Sequence, residues 1–236
     1  MSLRCVVWNA EWARPDSAKG RRLAAKLAEL APDVVCLTEG FAGLMPGGGA
    51  TETGPVPGNA PDSDARRVLL WSRFPMRDID KVGHPDLPHE AWVSATLHTP
   101  LGDVSVACVC IPWWDAQVAR FKGTKKRWQV HLEYLRLLPD VMAPLRERGP
   151  LIVAGDYNQF IPPAWAPKVA AQALADAFSG MEIATSGATD PDGRGLIDHL
   201  AHTPDLAGGV VETWGGRADT GPMSDHSGVA VEIRRG

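Results

Sequence analysis

The sequence predicts an α+β fold in which two packed β-sheets are covered by helices. Strand-like apolar runs fall into two clusters with helical stretches inserted between them. Hydrophobic residues make up 44% of the 236 residues, ample for a sizeable core. No repeat of fixed period and no linker-like stretch divides the chain, so residues 1–236 read as one domain.

The elements follow in order. Leu3 to Asn9 is a short apolar run. Ser17 to Leu30 places Leu23, Leu27 and Leu30 at helical spacing, and Asp33 to Thr38 is apolar and β-branched again, which gives a β-α-β opening. Residues 43–63 hold six glycines and four prolines with almost no large apolar side chain, and are expected to form a long loop. Strand candidates at 67–73, 76–83, 91–98 and 104–111 lie close enough for an antiparallel meander. A helix is expected from about Thr124, with Trp128, Leu132, Leu135 and Leu138 on one face and Pro139 interrupting it before Val141 to Leu145. Leu151 to Ala154 reads as a buried strand, Ala166 to Phe178 as a helix, and 196–202, 208–214 and 228–234 as three last strands.

Charge and apolar content narrow the function classes. A formal charge of -4 argues against a protein that coats nucleic acid by bulk charge, though a local basic patch can still grip a phosphate backbone. No apolar run approaches the roughly 18 residues of a membrane span. The start, Met1 to Cys5, leads straight into a strand-like segment, and the expectation is a soluble cytoplasmic protein. Cys5, Cys36, Cys108 and Cys110 lie in apolar runs without paired metal-site spacing and are expected to be buried thiols.

Chemistry concentrates in two short segments, Gly155-Asp156-Tyr157-Asn158 and Ser224-Asp225-His226. Each adjoins an apolar run, so each is expected at a strand end, where carboxylate, amide and imidazole can converge on one polar mouth. On an extended segment Asp156 and Asn158 point to the same side, while an Asx-turn is the structural alternative for this tetrapeptide. A carboxylate beside an imidazole would fix its tautomer and favour its protonated form.

These segments, taken with Trp8-Asn9-Ala10-Glu11, Cys36-Leu37-Thr38-Glu39, Leu70-Trp71-Ser72-Arg73-Phe74-Pro75 and Ile197-Asp198-His199 in that order, resemble the endonuclease/exonuclease/phosphatase superfamily over almost the whole chain. The resemblance implies a four-layer αββα sandwich, with two mixed, mainly antiparallel sheets flanked by helices. It also implies metal-dependent cleavage of a phosphate ester. Glu39, Asn9, Asp225 and Glu11 are then the expected ligands of Mg2+ or Mn2+, ions that suit oxygen donors. Asp156 is expected to orient or deprotonate the attacking water, Asn158 to hold the phosphate, and Asp198-His226 to form a dyad. Whether His226 or Asp156 takes the water's proton stays open. His199 should point away.

The substrate side departs from the family pattern. Cys110 stands where the nucleases commonly carry a His or Tyr that touches the phosphate, and a thiol is a poor donor. Arg120, Lys122, Lys125, Lys126 and Arg127 form a basic cluster that either contacts phosphate or is a solvated face. Cations at a helix start oppose the dipole by about 0.3–1 kcal/mol each. His131 shares that surface. Trp113, Trp114, Trp71 and Trp92 offer stacking surfaces or core, Arg66, Arg67 and Arg73 add backbone contacts, and the 43–63 loop is a candidate lid. The partner is therefore a phosphate-ester substrate, possibly nucleic acid, small or single-stranded as readily as duplex. The alternatives are a phosphomonoesterase or lipid/inositol phosphate hydrolase, and a non-catalytic binding module.

Overall fold

The computed structural model describes residues 1–57, 63–87, 89–116 and 126–236. Two six-stranded sheets lie face to face. The first contains β1 (Leu3–Asn9), β2 (Val34–Phe41), β3 (Ala50–Thr53), β4 (Ala65–Ser72), β11 (Leu206–Trp214) and β14 (Gly228–Arg235), in the order β11-β14-β1-β2-β4-β3. The second contains β5 (Met76–Asp80), β6 (Trp92–Thr99), β7 (Gly102–Cys110), β8 (Leu151–Asp156), β9 (Glu182–Ile183) and β10 (Asp198–His202), in the order β5-β6-β7-β8-β10-β9. Each sheet has one parallel pair near its centre, β1 with β2 and β7 with β8, and is otherwise antiparallel. The short strands β12 (Arg217–Ala218) and β13 (Gly221–Pro222) pair with each other.

Strict alternation along the strands produces the layers. Leu3, Cys5 and Val7 of β1 face the second sheet, while Val6 and Trp8 face outward under α1 (Ala18–Glu29). The outer face of the second sheet is covered by α2 (Gln129–Glu147) and α3 (Lys168–Ala177) through Trp92, Val109, Val153, Leu138 and Leu174. The result is the αββα sandwich. All four cysteines are buried and free, in the layer between the sheets.

Helix starts follow local chemistry in α1, where the Ser17 hydroxyl accepts the Gly20 amide N–H at 2.9 Å and Leu23 and Leu27 lie on the buried face. Three expectations need correction. Pro139 and Pro144 both lie inside α2, which continues through them. Each proline costs roughly 3 kcal/mol in a helix interior, but both rings are exposed and displace no core side chain. Leu135, Leu138, Val141, Met142 and Leu145 are buried on the other face, at about 1.5–3 kcal/mol each. Burial wins. The proposed start near Thr124 lies outside the described residues.

The second correction concerns the meander. Residues 76–80, 92–99 and 102–110 form it, but β4 joins β2 in the other sheet, with Leu37 opposite Leu69. Alternation fixes which side of a strand is apolar and leaves its partner undetermined. Third, the glycine-rich segment is not a free loop: Ala50–Thr53 forms an edge strand on β4, and Gly54 N–H donates to Val68 at 3.0 Å. Residues 58–62 of the candidate lid fall outside the described residues.

Candidate active site

The sheet topology gathers the polar groups at one rim. Asn9 and Glu39 sit at the C-terminal ends of the parallel strands β1 and β2, and Cys110 and Asp156 at the ends of β7 and β8. Antiparallel β10 begins with Asp198 opposite Asp156, and His226 lies just before antiparallel β14. Strand direction alone therefore brings together residues more than 200 positions apart. Several of these ends are strained: Glu11, Trp12, Glu39 and Asn158 all have left-handed φ, between 46° and 54°. Such conformations persist where the surroundings over-determine them.

Asp156 is at the centre. Its carboxylate accepts the Asn9 side-chain amide at 3.1 Å, the Asn158 side-chain amide at 3.0 Å and the Asn158 backbone N–H at 2.8 Å. The last bond is the Asx-turn, so Asp156 and Asn158 face each other across a turn rather than along an extended segment. Asn158 also donates to the Ile111 carbonyl at 2.9 Å, which binds this turn to the end of β7.

The Asp198–His226 dyad forms, with Nδ1 of His226 donating to Asp198 Oδ2 at 2.6 Å. The imidazole is held from its backbone as well: its N–H donates to Ser224 Oγ, whose hydroxyl donates to the Asn9 carbonyl at 2.6 Å, and its carbonyl accepts Trp8 Nε1 at 3.1 Å. Asp156, Asp198 and His226 place one polar atom each within 4.8 Å of one another. Burial alone would lower the His226 pKa, but the charges of Asp198 and Asp156, the Asp198 hydrogen bond and Asp225 push it up to about 10. Burial raises Asp156 to about 7; Asp198 adds to the rise, and His226 and the two asparagines oppose it.

Glu39 is half-buried and pairs with Arg67 at 3.2 Å. Burial raises its pKa, against the pull of Arg67, His226 and Asn9. A cation beside it would offset that burial. Asp198 Oδ1 is buried without a hydrogen-bond partner, and Glu39, Asp156 and Asp198 offer carboxylate oxygens of the kind a hard divalent ion takes, with the His226 imidazole as the nitrogen of the cluster. The expected ligand set is only partly assembled: Asn9 and Glu39 are in place, whereas the Glu11 carboxylate is turned to Lys19. Asp225 is exposed, 3.9 Å from Nε2 of His226.

The expected placements of Cys110, His131 and Arg73 are overturned, and that of His199 is not. Cys110 is 3% exposed, in the inter-sheet core against the Arg67 guanidinium, with its thiol pushed up by burial and then by Asp156. It offers a substrate nothing directly. His131 is fully buried rather than on the basic surface: Nδ1–H donates to the Pro112 carbonyl at 2.7 Å, leaving Nε2 to accept the Gln159 amide at 2.7 Å. Gln159 had no distinguishing signal in the sequence beyond its place after Asn158. Arg73 pairs with Asp33 at the opposite end of the sheet, and Arg66 bonds the carbonyls of Ser63 and Ala65. Trp71 and Trp92 are core. His199 points away, bonded to Thr185 and the Gln159 carbonyl. Lys126, Arg127 and Trp113 are exposed, while Arg120, Lys122 and Lys125 lie outside the described residues.

The buried histidines predict an acid response. Burial lowers His131 and His199 from the ordinary 6.5 to about 4 each. Between those values the unfolded chain binds two protons that the native chain does not, and raised Asp156 binds one in the native chain that the unfolded chain does not. The net is one proton in favour of unfolding. Stability should therefore be highest near pH 6.5, fall by about 1.4 kcal/mol per pH unit toward pH 4, and fall again above pH 6.5 as the unfolded chain loses the proton that native His226 keeps to about 10. Denaturant midpoints across that range check this, and His131→Gln should flatten the slope; an equally steep slope in the variant would exclude His131 as a source.

Comparison with known proteins agrees with this architecture. The model of the Endonuclease/Exonuclease/phosphatase family matches residues 6–226. An endonuclease/exonuclease/phosphatase from Beutenbergia cavernae superposes with a TM-score of 0.62 at 22% identity, covering 100% of this chain and 72% of that one. An AP endonuclease from Archaeoglobus fulgidus gives 0.66 at 16% identity, with 99% of each chain covered. D. rerio TDP2 complexed with single strand DNA product gives 0.65 at 16% identity, also with 99% of each covered. No curated protein matches by sequence.

Proposed function

Because the chain belongs to the endonuclease/exonuclease/phosphatase family, whose members are phosphoester hydrolases, we propose that it is a divalent-metal-dependent phosphodiesterase acting on nucleic acid. The observation that carries the reading is the convergence of Asp156 with the 2.6 Å Asp198–His226 pair within 4.8 Å at one strand-end rim. A phosphodiester repels nucleophiles, so hydrolysis needs cationic charge on its oxygens, an oriented water and an acceptor for the water's proton. Asp156, held rigid by two asparagine amides, is the proton acceptor. The water oxygen bonds to phosphorus, its proton passes to Asp156, and the ester P–O bond breaks with its electron pair on the leaving oxygen, which takes a proton from solvent. His226, kept cationic by Asp198, neutralises charge on the phosphoryl oxygens, and Asn158 and Arg67 flank the phosphate.

Glu39 and Asn9 are the residues that would hold Mg2+ or Mn2+, which would supply positive charge to the phosphate. The fold of D. rerio TDP2, with its single-stranded DNA product, supports a nucleic-acid substrate. A cavity of about 680 Å³ beside Asp225, lined by Phe160, Ile161, Pro162, Leu196 and Ile197, favours a second reading, an ester with an apolar group.

A substrate panel with Mg2+, Mn2+ or EDTA tests both. Single-stranded DNA, RNA, duplex DNA, abasic duplex, a generic diester, a monoester, inositol phosphates and sphingomyelin are the arms. Cleavage of oligonucleotides that stops in EDTA is expected. Activity confined to the monoester or lipid arms would favour the second reading, and hydrolysis unchanged in EDTA would rule out the metal.

A further inference from the structure

Beside the rim, four tryptophans from three segments form one surface cluster. Trp113 and Trp165 are each 49% exposed, and Trp114 and Trp128 are half-buried behind them. Trp113 meets Trp114 edge-on at 5.3 Å, Trp114 meets Trp165 at 6.4 Å, and Trp128 meets Trp165 at 5.1 Å. The Arg127 guanidinium lies 4.6 Å from the Trp114 ring centre. Isolated exposed apolar residues need no explanation, but a contiguous patch of this kind marks an interaction site.

The patch is tied to the catalytic turn. Ile111 exchanges bonds with both Asp156 and Asn158, its amide donating to Asp156 O at 2.8 Å and its carbonyl accepting Asn158 Nδ2. The next carbonyl, of Pro112, is fixed by buried His131, which Gln159 locks from the other side; Gln159 also donates to the Ala170 carbonyl at 3.0 Å. Trp128 has a left-handed φ of 69°, and its N–H donates to the Trp114 carbonyl at 2.6 Å, which ties the start of α2 to the Trp113–Trp114 segment.

We propose that the Trp113–Trp165 face is a stacking subsite for an unpaired nucleobase next to the scissile phosphodiester, so that the substrate is single-stranded nucleic acid. This rests on the phosphodiesterase reading above. Flat apolar faces bind the base, and Arg127, 4.0 Å from Asp115, and Lys126, both exposed, suit an anionic chain. A duplex keeps its bases stacked on one another and offers none to these rings.

Binding is measurable without catalysis. Fluorescence anisotropy in EDTA compares a labelled oligothymidylate octamer, an octamer of abasic linkers with the same phosphates, and a stable duplex of oligothymidylate with its oligodeoxyadenylate complement. The base-bearing single strand should bind about tenfold or more tightly than the abasic strand, the scale of one or two stacked bases. Trp113→Ala with Trp165→Ala should erase that difference, Phe at both positions should retain most of it, and unchanged thermal midpoints would show that the variants fold. Equal affinity for base-bearing and abasic strands, no binding of either, preference for the duplex, or unchanged discrimination in the alanine variant would each overturn the subsite. Binding of anionic phosphatidylglycerol vesicles in place of the oligonucleotide would also overturn it and assign the patch to a lipid surface. Failure of the hydrolysis panel with the base preference intact would count against the chemistry and leave the subsite standing.

Discussion

Asp156→Asn and His226→Ala should each lower phosphodiester hydrolysis by about a thousandfold, within the range for loss of a positioned proton-transfer group. Asparagine keeps the shape that Asn9 and Asn158 surround but cannot accept the water's proton. It also turns one or more of those amide donors against another donor, so a modest stability loss should accompany the kinetic one. Asp198→Asn should cost less, because the His226 backbone stays anchored by Ser224 and Trp8 while the ring loses the charge that keeps it protonated. The double variant Asp198→Asn with His226→Ala should be no slower than His226→Ala alone, since residues acting as a unit are strongly non-additive. Single-turnover rates at saturating substrate and metal are the measurement. A His226→Ala rate within tenfold of wild type would remove the dyad from the chemistry.

Gly155→Ala is expected to have the largest effect on folding. Gly155 has φ of 142° and lies opposite Val109 in the parallel β7–β8 pair; a Cβ there would come within 1.9 Å of the Val109 carbonyl oxygen. The obstacle is backbone in the middle of a sheet, so no side chain can rotate aside. Overpacking of about 1–3 kcal/mol or more and backbone strain of about 1–3 kcal/mol together predict a loss of about 4 kcal/mol. At about 2–4 °C per kcal/mol for a chain of this size, the thermal midpoint should fall by roughly 10 °C. Gly149→Ala is the control: φ is 131° but no atom lies within 4 Å of the added carbon, so it carries the strain without the clash. Equal losses in the two variants would show that the close β7–β8 approach is not the cause. Because Asp156 is the next residue, the Gly155 variant should also lose activity in its folded fraction.

Much of this site was legible because short-range chemistry and strand ends determine it. Asp156, Asn158, Asp198 and His226 lie in segments flanked by apolar strands, and the structure brings all four to one rim. His131 was misjudged because its helix position says only which face it occupies; burial under Trp128 and the Pro112 and Gln159 bonds depends on segments that arrive from elsewhere. Cys110 was correctly placed at a strand end, but the alternation that put Cys108 and Cys110 on one side did not reveal that this side is the inter-sheet core. Glu11 follows Asn9 by two residues, yet the chain leaves β1 through left-handed φ at Glu11 and Trp12 and carries the carboxylate to Lys19.

By itself, the sequence determined the periodicities, and so the longer strands, three helical stretches, the apolar face of each and the acid, amide and imidazole segments at their ends. These depend on neighbours a few residues away, through backbone geometry and side-chain spacing. Only the tertiary structure decided that β4 leaves the meander for the first sheet, that α2 runs through two prolines, and that Asp156 meets Asn9 and Asp198. It also decided that Trp113, Trp114, Trp128 and Trp165 share one surface. Pairing partners and burial are set by the whole packed chain, where the gain from apolar contacts outweighs local preference.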